Sequence, residues 1–168
     1  DNVASMVVFC GGSPDKKSYR KFKIKSFTGP DDFRAMNEVL ERRLDEGLKG
    51  NEKFLPFPDL IVIDGGKGQL SSALKALDSK GLTDKIAIAS LAKKEELIYL
   101  PGKSQPVVLD RRGQGLYLVQ RIRDEAHRFA ITFHRSLRTK RNLESILDDI
   151  QGIGEKRKKI LLKKFGSV

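Results

Sequence analysis

Three stretches of this chain combine residue types and spacings that could do chemistry. The first is LIVIDGGKGQL, residues 60–70, in which a short apolar run ends in Asp64, two glycines, Lys67 and a further glycine. LIVI is β-favouring and follows Pro56, Pro58 and Asp59, so it reads as a short buried strand, and a helical pattern resumes at Gln69. Asp64 thus falls on a strand-to-helix turn, where α/β folds collect their chemistry. Three readings compete. A phosphate-cradling loop would need four residues between its glycines and a Ser or Thr after the lysine, and neither is present. A structural turn would use Asp64 as a helix cap and the glycines for positive φ. A metal site would use Asp64 as a strand-end carboxylate, with the glycines leaving room for a substrate backbone.

The second stretch is RIRDEAHRFAITFHR, residues 121–135, which holds both histidines of the chain. Arg123, Asp124, His127, Ile131 and His134 lie three, four or seven apart and so share one helix face. A histidine among Arg123, Arg128 and Arg135 suits contact with a phosphate, and Asp124 can orient the imidazole or pair with Arg128. The third is ILDDIQGIGEKRKKILLKKFG, residues 146–166. Gly152 and Gly154 flank one apolar residue between two helical stretches, as in a helix-hairpin-helix element. There, backbone N–H groups at the start of the second helix can hold a DNA phosphate, and Lys156, Arg157 and their basic neighbours add charge without base specificity. An ordinary pair of antiparallel helices is the alternative.

The composition supports a polyanion partner. Net charge is +11, and residues 121–168 hold 13 Lys and Arg against 6 Asp and Glu, whereas residues 1–120 hold 20 against 16. Positive charge gathered in the last third points first to nucleic acid. The single cysteine, Cys10, excludes an internal disulfide and favours a reducing compartment, the cytoplasm. No apolar run reaches membrane-spanning length, so no membrane role is expected. A start at Asp1 and an end at FGSV read as a piece of something longer.

The elements that must position these residues follow from periodicity. VASMVVFC (3–10) and SYRKFKIKS (18–26) flank a turn-rich GGSPDKK and predict an antiparallel hairpin, whose second strand has a wet face of Tyr19, Lys21, Lys23 and Lys25. Pro30-Asp31-Asp32 predicts a helix start, with Phe33, Met36, Val39, Leu40 and Leu44 inward. A second helix is expected over 69–80, with Leu70, Ala73, Leu74 and Leu77 inward and Gly81 as its stop. IAIAS (86–90) predicts a buried strand, ELIYL (96–100) with PVVLD (106–110) a second hairpin, and 114–140 a long helix with a stripe of Val119, Ile122, Ala126, Phe129, Phe133 and Leu137. This order implies an α/β fold in which a mixed sheet is flanked by helices.

VASMVVF, YRKFKIK, DLIVIDGGKGQL, LAKKEE, IRDEAHRFAI and GIGEKRKKILLKKFGS resemble, in this order, the C-terminal half of the UvrC family, the nuclease subunit of the bacterial UvrABC nucleotide excision repair system. The resemblance covers nearly the whole chain. It implies a ribonuclease H-like endonuclease domain over residues 1–141 and an incomplete helix-hairpin-helix element over 142–168. The implied activity is the 5′ incision in damaged double-stranded DNA, made together with UvrB and the UvrA-loaded complex. Asp64 is then a catalytic, metal-binding carboxylate and His127 the catalytic histidine, itself a further metal ligand or a proton carrier, while Lys93 in LAKK can hold a phosphate. Phosphodiester cleavage agrees with Mg²⁺ or Mn²⁺, hard ions that take carboxylate oxygens, activate water and neutralise charge on phosphorus oxygens. The family's other catalytic aspartate lies in a segment upstream of Val3, so its strand, expected between the first hairpin and LIVI, falls outside this chain. The chain alone is therefore expected to be inactive. The contrasting reading is a non-catalytic DNA-binding adaptor on the same fold; a phosphotransferase built on GGKGQ is disfavoured by spacing.

Overall fold

The computed structural model describes residues 3–26, 29, 31–92 and 96–166. Pro30 and Lys93 lie outside the described residues. The chain divides into two compact units, Asp1–Glu125 and Ala126–Val168.

In the first unit, strand β1 (Val3–Met6) pairs antiparallel with β4 (Arg20–Lys23), Val3 facing Lys23 and Met6 facing Arg20. The expected hairpin is therefore present but shorter. The stretch taken as one strand to Cys10 breaks after Met6, and β2 (Phe9–Cys10) and β3 (Ser13–Pro14) form a separate small ladder. Of the expected wet face Lys21, Lys23 and Lys25 are exposed, with Phe22 buried on the other side, but Tyr19 is half-buried because its hydroxyl donates to Glu125. Helix α1 (Asp32–Leu48) starts where predicted, because the Asp31 carboxylate accepts from the Arg34 N–H at 3.0 Å. Val39, Leu40 and Leu44 are buried, but Phe33, expected inward, is 48% exposed. It sits on the first turn, and its ring lies over Gly68 rather than in the core.

Strand β5 (Leu60–Asp64) leads through helix α2 (Lys67–Ser79) to β6 (Ala87–Ala92), parallel to β5, and β7 (Leu97–Tyr99) is antiparallel to β6. The sheet is thus mixed, as expected. Residues 106–110 contribute only the single bridge Ile98–Val107, and the ladder of β7 is with β6. This sheet and the β1–β4 ladder share no strand among the described residues.

The core beneath the sheet gathers Leu40 and Leu44 of α1, Ile63 and Ile88 of the strands, and Leu70, Ala73, Ala76 and Leu77 of α2. Leu44 and Leu77 have no exposed surface, so truncating either to alanine costs about 2–5 kcal/mol. Ile61 and Ile63 face this core, which by the period of two turns Leu60, Val62 and Asp64 to the other face. Ala89 and Leu91, opposite Val62 and Asp64, are buried there. The Ser90 hydroxyl is buried without a partner, a penalty of about 1–3 kcal/mol that the surrounding packing offsets.

Helix α3 (Gln114–Asp148) runs past the expected end at Lys140, because residues 116–151 contain neither glycine nor proline. It is unbroken across 141–142, where the domain boundary was placed. Leu116, absent from the predicted stripe, is buried, as is Phe133. In the second unit, residues 149–154 connect α3 to helix α4 (Glu155–Phe165). The apolar side of α4 was predicted as Ile160, Leu161 and Phe165. Ile160 and Phe165 are instead exposed, and the half-buried positions are Lys158, Leu161 and Leu162, three and four apart. No helix among the described residues is long and apolar enough to cross a membrane.

Candidate functional site

The turn after β5 is built on close packing. The Gly65 N–H donates to the Leu91 carbonyl at 3.0 Å, which continues the parallel ladder one residue beyond Asp64. Gly66 is the N-cap of α2 in extended conformation, and its N–H donates to Gln69 Oε1 at 3.0 Å. The N-cap of α2 is therefore Gly66, with the Gln69 side chain closing back on it, and Asp64 stands two residues before. None of Gly65, Gly66 and Gly68 has a positive φ. Gly65 and Gly68 are needed for space. A Cβ on Gly65 would stand 2.9 Å from the Gln69 Cβ, and one on Gly68 would stand 2.6 Å from the Phe33 ring. Asp64 itself is exposed, at the carboxyl end of β5, which among the described residues is an edge strand of the three-stranded mixed sheet. Lys67 does not reach back into the turn, since its Nζ donates to the Ser104 carbonyl at 2.5 Å and lies 5.4 Å from the Tyr99 ring centroid.

Of the charged residues in the second motif, Arg121, Arg123 and Glu125 make contacts within the first unit. Arg123 Nη1 pairs with Glu96 Oε1 at 3.1 Å, and the Gln120 amide donates to both Glu96 oxygens at 3.0 and 2.9 Å. One turn round the helix, Arg121 sits 5.8 Å from the Phe9 ring centroid and Glu125 accepts from the Tyr19 hydroxyl at 2.9 Å. The guanidinium expected to meet a phosphate at Arg123 is thus already paired with Glu96. Asp124 and Arg128 are exposed and His127 is half-buried. Glu96 was not singled out in the sequence. It has φ +53°, a strain of about 1–3 kcal/mol for a residue with a side chain, and no spacing rule links it to Arg123.

In the second unit, Gly152 has φ +91°, so a glycine is required for the turn. Gly154 is the N-cap of α4, and a Cβ there would meet nothing within 4 Å. The hairpin is held by Arg157 Nη1 donating to the Gly152 carbonyl at 2.8 Å and by Lys158 Nζ on Asp148 Oδ1 at 2.5 Å. The bond to Asp148 raises the Lys158 pKa. Lys156 is exposed on the first turn of α4.

Among the described residues no group of three His, Cys, Asp or Glu side chains is gathered in a way that would hold a metal ion.

The family model for the UvrC RNAse H endonuclease domain covers residues 1–131, and the chain belongs to that family. Its curated relatives include the UvrABC system protein C of Prosthecochloris aestuarii, 52% identical over 168 residues, which is 100% of this chain and 26% of the relative. That of Flavobacterium johnsoniae is 50% identical over 166 residues, and that of Porphyromonas gingivalis 49% over 166, in each case 99% of this chain and 27% of the relative. The chain thus spans about a quarter of the length of these relatives. A ribonuclease H-like endonuclease family suggests a divalent metal.

Proposed function

We propose that this chain is the nuclease part of a DNA repair protein that cuts the backbone 5′ to a lesion, acting on damaged double-stranded DNA in the cytoplasm with UvrA and UvrB as partners. The observation that carries the reading is Asp64, an exposed carboxylate at the end of a sheet strand, in a chain of the UvrC endonuclease family. Asp64 supplies one ligand of a Mg²⁺ or Mn²⁺ ion, and His127 is a further ligand or the proton carrier. Hydrolysis removes one proton from the attacking water and delivers one to the leaving oxygen. A histidine can take or give a proton near neutral pH, and His127 serves there. Lys93 and Arg128 hold phosphates beside the reacting one.

Residues 142–168 bind rather than cut. In this reading residues 146–166 are a helix-hairpin-helix element whose N–H groups after Gly152 and Gly154 meet a DNA phosphate, with Lys156 and Arg157 adding attraction. These contacts steer without reading sequence, so affinity falls steeply with salt.

The test uses the full-length protein with its partners and a lesion-bearing duplex. Asp64→Ala is expected to lower the 5′ incision about a thousandfold or more while DNA binding persists. Near-normal 5′ cutting by this variant removes the role of Asp64. A full-length protein that binds DNA yet shows no divalent-ion-dependent 5′ nicking is the adaptor instead.

A further inference from the structure

Residues 16–25, KKSYRKFKIK, hold six Lys and Arg and no Asp or Glu, whereas the other 110 residues of 1–120 hold 14 Lys and Arg against 16 Asp and Glu. The net positive charge of residues 1–120 is therefore gathered on one ten-residue segment, β4 and the turn before it. Solubility does not call for such a concentration, since mixed and scattered charge serves it better.

The fold turns the lysines of this segment to one side. On the inner face of β4, Phe22 is buried, and the Arg20 guanidinium donates to the Lys17, Tyr19 and Lys53 carbonyls and lies 5.4 Å from the Phe54 ring centroid. Lys21 and Lys23 alternate with these residues and so share the opposite, exposed face. Their partners across the ladder are the uncharged Ser5 and Val3. Lys25, two residues on, is exposed as well. Two acids lie beside the row, and each has partners. Glu125 accepts from the Tyr19 hydroxyl at 2.9 Å, and Glu38 accepts from the Lys25 and Ser26 N–H groups, the Ser26 hydroxyl and Arg42. Arg42 also donates to the Lys23 carbonyl at 2.7 Å, so the backbone that carries the lysines is fastened from behind before any ligand arrives.

Ammonium groups at every second residue stand about 6.6 Å apart along a strand and offer their charge in series to a phosphate backbone. Lysine is a point charge without arginine's fixed fork, which suits contact with phosphates rather than reading of bases. We propose that the outer face of β4, with Lys21, Lys23 and Lys25 and the exposed Lys16 and Lys17 of the turn before it, is a further contact surface for the DNA backbone, carried by the first unit in addition to residues 142–168. The proposal rests on the reading of this chain as part of a DNA nuclease.

The experiment uses full-length protein carrying Lys21→Gln, Lys23→Gln and Lys25→Gln together, titrated with duplex DNA at several salt concentrations. Each phosphate contact contributes about 0.9 to the slope of log affinity against log salt, so the variant is expected to lose about 2–3 from that slope and to bind about tenfold or more weakly at physiological salt. Its melting temperature should match the parent's, because the three side chains are exposed. For 5′ incision, kcat at saturating DNA should stay within about twofold while KM rises with the loss of affinity. Arginine at the same three positions keeps the charges and should bind as the parent does. A parental salt slope in the glutamine variant overturns the proposal, and incision then lost only with the partner subunits present assigns the row to an acidic protein surface. Weak binding that arginine fails to restore also overturns it, as a sign of packing. So does an equal loss in Lys75→Gln, Lys85→Gln and Lys103→Gln, exposed lysines elsewhere on the first unit, since overall charge is then the cause. If the parent neither binds DNA nor makes a divalent-ion-dependent nick, the nuclease reading fails; if it does both and the glutamine variant binds equally well, only this surface fails.

Discussion

Two glycine-bearing turns hand this chain into a helix, GGKG before α2 and GIG before α4, and both helices have a glycine N-cap in extended conformation. In the first, the glycines have ordinary negative φ and are pressed against their own protein, Gly65 on Gln69 and Gly68 on Phe33. In the second, Gly152 needs its positive φ, and Gly154 has nothing within 4 Å of where a Cβ would stand. Glycine in the first turn therefore serves the inside of the molecule. In the second, Gly152 serves the turn by its backbone conformation and Gly154 borders open space.

The contrast is strongest at Gly65. Gly65→Ala is expected to destabilise the chain by about 1–3 kcal/mol, because the Gln69 Cβ it strikes is fixed to the helix and cannot swing aside. Thermal melting checks this, and an unchanged midpoint means the turn has slack the geometry denies. Gly154→Ala should do the reverse. Its effect on stability is expected to stay within about 1 kcal/mol, while the affinity of the full-length protein for duplex DNA falls about five- to tenfold, near 1–1.4 kcal/mol. Equal DNA affinity in a titration at fixed salt would make the hairpin an ordinary helix connection.

A third segment sharpens the comparison because neither glycine nor packing holds it. Residues 25–26 are fastened to α1 by Glu38, which accepts from the Lys25 and Ser26 N–H groups, the Ser26 hydroxyl and Arg42. Burial raises the Glu38 pKa, but these bonds, that of the Ser26 hydroxyl foremost, overcome it and bring the value down to about 2. A lowered carboxylate pKa gives stability that is present above the unfolded-state value and is lost as pH falls towards 2. Glu38→Gln is expected to lower stability by about 1 kcal/mol at neutral pH. Its gap from the parent should close between about pH 4.5 and 2; a gap constant over that range sinks the assignment.

Elements that depend on local pattern were readable from residues alone. The spacing of Leu70, Ala73, Leu74 and Leu77 and the runs LIVI and IAIAS gave α2, β5 and β6 with small errors at their ends. Elements that depend on distant partners were not. Nothing in VASMVVFC marks the break after Met6, and ELIYL finds its main ladder on β6 rather than on the neighbouring PVVLD. Phe33 fits the inward stripe of α1, yet a first-turn position puts it over Gly68. At the site, a strand-end Asp64 could be read from the chain because its turn is local. The fastening of Arg123 could not, because Glu96 lies on the far side of a strand and a loop and is singled out only by its backbone conformation.

Cys10 is the chain's one cysteine and is exposed on β2, beside Phe9 and its stacked partner Arg121. One accessible thiol fixes a stoichiometry: a maleimide dye adds once per chain, and air oxidation stops at a disulfide-linked pair. The dye would also sit next to the contact between the small β2–β3 ladder and α3, and so report on that contact alone. Arg121→Ala is expected to raise the rotational freedom of the label, seen as lower fluorescence anisotropy, with β5 and β6 untouched. Unchanged anisotropy would mean that the ladder keeps its seat without Arg121.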